Sequence, residues 1–367
     1  MAIITTDNKH YNDIANAIRE KTGTETTYTP EEMKSGIAEV YDAGIENTLI
    51  PIRESLVNKG EELSETADVE EIIGCIDGLN LWSDFTDFSY FFYGGRRASY
   101  IPKLKYGDTS KGTDFSYMFQ NCNNLTTIPQ INTSKGTDFS YMFQKCSKIT
   151  EIPFLDTSSG TNFNYMFQNC SSLTTIPQID TSKGTNFNYM FCDCVNITTI
   201  PQIDTSQCTD FTYFFQKCSK LTIIPQIDTS KGKKFTCTFE YCSKITEIPP
   251  IDTSNGELFG STFYSCSRLI TIPKIDLSKA TFVNQYTFAN CNNLQNITFE
   301  GTININGLTL QYSDKLTHDS LMSLINALAD KSGDTSTTWK VTIGSTNLAK
   351  LTAEEIQIAE NKGWVIV

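Results

Sequence analysis

Eight cysteines run in step through the middle of the chain. Cys122, Cys146, Cys170, Cys194, Cys218, Cys242 and Cys266 are each 24 residues apart, and Cys291 follows after 25. Thiols in series could form disulfides, hold zinc or act as nucleophiles, and the spacing argues against each. A constant interval stacks one sulfur over the next at a single repeat step, which is marginal for a disulfide and singles out no partner. Zinc wants paired cysteines or histidines. No C-x-x-C pair occurs, and the two histidines, His10 and His318, lie outside the series. Cysteine is also a small apolar residue that tolerates full burial, so one per repeat at constant phase is expected to form an inward-facing structural ladder. Cys192, Cys208 and Cys237 fall out of step and are candidates for exposed thiols.

A second column, Asp156, Asp180, Asp204, Asp228, Asp252 and Asp276, raises the question of calcium. One carboxylate per repeat is sparse for a shell of six to eight oxygens. The expectation is that each carboxylate caps a turn through the backbone N–H groups of the Thr-Ser that follows it. No metal and no cofactor is expected.

The element that must position these residues is the repeat itself. Met118, Met142, Met166 and Met190 share the 24-residue interval, as do phenylalanines from Phe119 to Phe263 and the Ile-Pro pairs from Ile128-Pro129 to Ile272-Pro273. A weaker copy, "SYFFYGG", occupies 89–95. One such unit cannot bury its own apolar face and must stack on its neighbours. Within it, Phe115, Met118, Phe119 and Cys122 follow the i, i+3, i+4, i+7 spacing of a short helix. Leu125, Ile128 and Ile131 suit a short strand, and "DTSKG" has turn-making order. The fold class read from this pattern is α/β, a leucine-rich-repeat-like solenoid of about nine 24-residue coils over 85–311.

Two different segments flank the array. Residues 1–84 read as a helical, acidic attachment or oligomerisation module. Ile14 and Ile18 share one helical face, and Tyr41, Ile45, Leu49, Ile52 and Leu56 are spaced like a short coiled-coil seam; a trimer is the expected homo-oligomer. Residues 312–367 read as an α/β capping segment: a helix in "THDSLMSLINALADKSG", a strand in "TWKVTIG", a capped helix in "TAEEIQIAENKG" and a final strand "WVIV". An open solenoid end exposes unpaired edges and core and so needs such a closing unit.

Net charge is −13, and 1–84 carries 18 acidic against 6 basic residues while 85–311 carries 17 against 18. Nucleic acid is not an expected partner, because phosphate neutralisation needs a basic face. No stretch approaches 18 apolar residues, so no membrane insertion is expected. The start of the sequence lacks the pattern of a secretory signal.

The recurring "MFQNCNNLTTIPQIDTSKGTNFNYMF" units resemble the BspA-type leucine-rich repeats of bacterial surface proteins and of virion proteins of their phages. "LTHDSLMSLINALADKSG" with the residues after it looks like the terminal segment often attached to such repeats. "YNDIANAIREKTGTETTYTPEEMKSGI" is similar to a motif common in tail and baseplate-associated proteins of phages infecting Gram-positive hosts. The resemblance implies a virion protein of the tail tip or baseplate, docked to other virion proteins through its N-terminus. Its solenoid would contact a host cell-surface protein or glycan. A structural decoration protein of head, neck or tail, and a bacterial surface adhesin, are the other readings. Enzymatic activity is not expected, since nearly every polar residue of the array occurs in registered copies, whereas catalysis needs a nonrepeating constellation. The expected contact positions are the outer columns: Tyr117, Tyr141, Tyr165, Tyr189 and Tyr213, and, taken together as one column, Gln120, Gln144, Gln168, Asp193, Lys217, Tyr241 and Ser265.

Overall fold

The computed structural model describes residues 85–95 and 108–367. The chain divides into two compact units. The smaller comprises Met1–Phe85, Ile101–Lys111 and Pro129–Asn132. Its expected docking residues, Ile14, Ile18, Tyr41, Ile45, Leu49, Ile52 and Leu56, lie outside the described residues. The larger unit comprises Thr86–Tyr100, Gly112–Ile128 and Thr133–Val367.

In the larger unit successive repeats lie parallel, one directly over the next. Asp114 bridges Asp138, Asp138 bridges Asn162 and Asn162 bridges Asn186; later Asp210 bridges Lys234 and Lys234 bridges Leu258. The segment 115–122, expected to be a short helix, is not one. Its alternate N–H groups leave the coil: Phe115, Tyr117, Phe119 and Asn121 donate to the carbonyls of Asp138, Ser140, Met142 and Gln144 at 2.8–2.9 Å. Those between, on Met118, Gln120 and Cys122, turn back three residues onto Phe115, Tyr117 and Phe119 at 3.0–3.4 Å. An α-helix needs every N–H for its own i−4 carbonyl, and here half are committed to the next coil. Tyr117 and Asn121 close the two turns at φ +58 and +63. Turns that recur every four residues place Phe115, Met118, Phe119 and Cys122 inside with the same spacing as a helix, so the spacing does not distinguish the two. Among the described residues, helices occur only after the coils.

Four ladders hold the stack. Rings of Phe119, Phe143, Phe167, Phe191, Phe215, Phe239, Phe263 and Phe288 stack at 5.3–5.9 Å between centroids. A second phenylalanine stack runs through Phe115, Phe139, Phe163 and Phe187 at 5.5–5.8 Å. Each ladder cysteine donates its S–H to the carbonyl of the phenylalanine in the coil before, as Cys146 does to Phe119 at 3.0 Å and Cys170 to Phe143 at 3.1 Å. The buried threonine that follows the aspartate in the coils from Asp156 to Asp252 substitutes for a strand bridge. Thr157 Oγ1 donates to the Asp180 carbonyl and accepts from the Asp180 N–H, both at 2.8 Å, and Thr181 does the same to Asp204 at 2.9 and 2.8 Å. Coil to coil, the backbone polar groups inside the stack are therefore met by backbone, thiol or hydroxyl, as burial demands.

The last coil passes into regular structure. Strand β1, Thr271–Asp276, pairs in parallel with β2, Asn296–Glu300. Beyond β2, a two-residue strand β3, Leu308–Thr309, pairs with β4, Trp339–Thr342, and β4 pairs with β5, Trp364–Ile366, all parallel. Helices α1, His318–Ala327, α2, Ser345–Leu348, and α3, Ala353–Asn361, lie between them in the chain. Helix α3 starts with a reciprocal capping box between Thr352 and Glu355. Helix α1 closes the otherwise open edge of β2 with serines three residues apart. The N–H groups of Ile297 and Phe299 donate to Ser320 Oγ and Ser323 Oγ at 3.0 and 3.2 Å, and these hydroxyls donate in turn to the carbonyls of Gln295 and Ile297. A polar spacing on one face of α1 thus serves the backbone of the last coil, while Leu321, Leu324 and Ile325 are buried.

Candidate functional site

The tyrosine column sits on the first of the two turns in each coil. Tyr90, Tyr117, Tyr141, Tyr165, Tyr189 and Tyr213 all adopt φ between +57 and +59, a region uncommon for side chains of this bulk. Their rings stack at 4.3–4.5 Å, within 22° of parallel. From Tyr117 to Tyr213 the side chains are half-buried. Because each ring face is covered by its neighbours, the column shows solvent ring edges and phenol hydroxyls rather than flat aromatic platforms. Desolvation, followed by the repulsion of neighbouring phenolates, pushes Tyr117 and Tyr189 up to about 12; Tyr141, Tyr165 and Tyr213 move in the same direction, desolvation again first.

The glutamines and the charged residues expected beside them form two columns, not one. Gln120, Gln144 and Gln168 continue at 24-residue steps as Cys192, Gln216 and Glu240, whereas Asp193, Lys217, Tyr241 and Ser265 continue Asn121, Lys145 and Asn169. The first column is an internal hydrogen-bonded ladder. Gln120 Nε2 donates to Gln144 Oε1, and Gln144 Nε2 to Gln168 Oε1. Gln168 Nε2 then reaches Cys192 Sγ at 3.9 Å, Cys192 S–H donates to Gln216 Oε1 at 3.1 Å, and Gln216 Nε2 donates to Glu240 Oε2. Gln144 is buried, so it is not an exposed contact position, while Gln120 and Gln168 are half-buried: coil-to-coil amide pairing draws the column down onto the stack. The second column, at the second turn, is the outward one. Lys145, Lys217 and Tyr241 are exposed, Lys217 pairs with Asp193 at 3.3 Å, and Tyr241 meets Tyr264 edge-on at 5.2 Å.

The structure places all eight ladder cysteines inside, unbridged. Burial pushes Cys122 up to about 11 and Cys291 up to about 12, and lifts Cys146, Cys170, Cys218 and Cys266 well above the ordinary thiol range, the opposite of what a nucleophile needs. The three cysteines expected to be exposed are buried as well. Each occupies a slot of the repeat: Cys192 that of the glutamine, Cys208 that of the turn glycine and Cys237 that of the tyrosine. The carboxylates of the aspartate column accept from the N–H two residues on, as Asp180 does from Ser182 and Asp228 from Ser230, both at 2.9 Å. Among the described residues no group of three or more His, Cys, Asp or Glu side chains is placed to hold a metal ion. No helix there is long and apolar enough to cross a membrane.

Short parallel coils in register, with stacked aromatic, thiol and hydroxyl ladders inside and ordered polar columns outside, define a repeat solenoid. Within that class the chain belongs to the family described as Mycoplasma protein of unknown function, DUF285, whose model matches residues 86–201 and again 185–300. No curated protein matches the chain. Among solved structures it is similar to a chain of the crystal structure of a TLR13–ssRNA13 complex, at 8% identity and a TM-score of 0.18; the match covers 68% of this chain and 58% of that one.

Proposed function

We propose that the protein is a noncatalytic recognition component of a phage virion, at the tail tip or baseplate, with its N-terminal segment docked to other virion proteins and its coils turned to the host cell surface. The observation that carries the recognition half of this reading is the outer register that runs from Tyr90 to Tyr213. Tyrosine edges and hydroxyls recur every 4.3–4.5 Å along one line, beside a column that varies from copy to copy, Asn121, Lys145, Asn169, Asp193, Lys217 and Tyr241. A fixed scaffold with variable outward residues is the arrangement in which binding residues are displayed on a rigid body. The virion half is supported by the N-terminal and repeat motifs that resemble tail-associated proteins. The test is particle-based. Immunogold labelling should mark the tail tip, and particles lacking the protein should adsorb to host cells at least tenfold more slowly. Normal adsorption by such particles, or label on the head, would overturn the reading.

A further inference from the structure

A groove of about 1090 Å³ crosses five coils on another face of the stack, at the upper end of the size of built ligand sites. One side carries Gln178, Gln202 and Gln226, with Phe154 and Pro250 in the same column at the two ends; the other carries Asp156, Asp180, Asp204, Asp228 and Asp252. The hydrogen bonds within each wall decide what the groove offers. Gln178, Gln202 and Gln226 spend Nε2 on the carbonyl of the corresponding residue one coil on, at 2.8, 2.6 and 2.8 Å. Their Oε1 atoms are left as acceptors. Each aspartate accepts from the N–H two residues later, as Asp204 does from Ser206 at 2.8 Å, and Asp156, Asp180, Asp228 and Asp252 take the hydroxyl of that serine as well; the carboxylates offer the groove acceptors only. Two parallel rows of acceptors thus run along the groove at one per coil, and no lysine or arginine lines it. Lys183, Lys231 and Lys274 act on Asp180, Asp228 and Asp252 only as minor neighbouring charges.

Such a groove selects a ligand rich in donors, repeating at the coil step and free of negative charge. A basic peptide meets the first and last conditions but not the second. Extended peptide repeats on one face every ~6.7 Å, against a coil step of ~4.8 Å, and drifts out of register within two coils. A pyranose ring is about one coil step long. A linear chain of them presents hydroxyl donors on both edges, and its C–H faces suit an exposed ring such as Phe154, which is 61% exposed.

We infer that the groove binds a linear, uncharged polysaccharide strand, one sugar per coil, held between the aspartate and glutamine rows. This deepens the recognition reading by naming the ligand class for one face, and it rests on that reading only for its biological setting.

The test uses the full chain on an array of immobilised linear hexasaccharides spanning α- and β-linked glucose, galactose, mannose and N-acetylglucosamine, their uronate counterparts and a lysine hexapeptide. Calorimetry then follows with the strongest ligand. At least one neutral hexasaccharide should bind, the corresponding trisaccharide at least tenfold more weakly, and the uronates not at all. Asp204→Asn keeps an oxygen for the Ser206 N–H and turns an amide donor into the groove, so it should weaken binding at least tenfold with an unchanged melting temperature. Gln202→Leu, on the opposite wall, should weaken it as well. The inference fails if no neutral hexasaccharide binds at millimolar concentration, if the lysine peptide binds tightest, or if Asp204→Asn binds as well as wild type. Failure of every neutral hexasaccharide to bind while host-cell binding persists would sink the inference and leave the recognition reading intact. Glycan binding without any host-cell binding would do the reverse.

Discussion

A single position in each coil shows how much backbone geometry dictates. Lys145 sits at φ +62, with its N–H bonded to the Gln168 carbonyl and its side chain exposed. For a residue with a Cβ the left-handed region costs roughly 1–2 kcal/mol, whereas glycine is free of it but loses about 0.5–1 kcal/mol more chain entropy on folding. Lys145→Gly should therefore stabilise the protein by up to about 1 kcal/mol, and Lys145→Val should destabilise it by at least that much; urea midpoints with unchanged m-values would show both. Gly184 is constrained the other way. Its backbone is ordinary, but an added Cβ would lie 2.3 Å from Phe187 Cζ. Where the repeat places Cys208 in that slot, the methionine slot of the same coil holds Phe214, and Phe187 meets Phe214 edge-on at 6.2 Å instead of stacking. Gly184→Cys alone should cost about 1–3 kcal/mol by overpacking, because the neighbouring Met190 has not changed with it. Equal stability of wild type and Gly184→Cys would mean the ring contact is not what fixes the glycine.

At the scale of elements, the register of the coils and helices α1 and α3 could be read from spacing alone, because identical side chains at a constant interval have few ways to stack and the capping signal at Thr352 is local; the four-residue α2 carried no such signal. The short helix within the coil could not. Its apolar spacing belongs equally to four-residue turns, and what decides between them is the N–H traffic to the next coil, which no single repeat reveals. The same cause explains the glutamines: Gln144 looks like a surface residue until its amide is paired above and below. It also explains Ser320 and Ser323, polar residues inside an amphipathic pattern whose hydroxyls stand in for a missing strand. Ser320→Ala would leave the buried Ile297 N–H without its acceptor and should cost about 1–3 kcal/mol. The local character of the loss gives a sharper readout than the total. Hydrogen exchange at Ile297 should speed up selectively, while Phe119 and Phe143, in coils far along the chain, keep their protection. Uniform acceleration would show instead that α1 and the coils open together.

Over the whole molecule, small terms repeated at every coil become decisive, and the thiol ladder makes this measurable through pH. An unfolded thiol has a pKa near 8.5, and burial raises the folded values, to about 11 at Cys122 and about 12 at Cys291, and lifts Cys146 and Cys170 well above the ordinary range. Below pH ~8.5 the thiols are protonated in both states and stability is intact. Above it the unfolded chain sheds protons that the folded chain keeps, so stability falls with rising pH until the folded values are reached. Each thiol contributes about 1.4 kcal/mol per pH unit, and the eight of the ladder together on the order of 10 kcal/mol, as much as the entire stability of a typical domain. The tyrosines add a loss of the same sign above pH ~10. The protein should therefore resist thiol reagents at pH 7 and unfold cooperatively between about pH 9 and 10.5, where one isolated buried cysteine would only weaken it. Replacing Cys146 and Cys170 by alanine should lower stability at pH 7 yet flatten its pH dependence by roughly 3 kcal/mol per unit, a reversal that lost packing alone does not produce. Denaturant midpoints that stay level from pH 7 to 10 would mean that the thiols ionise in place, and that the stack is open enough to solvate them.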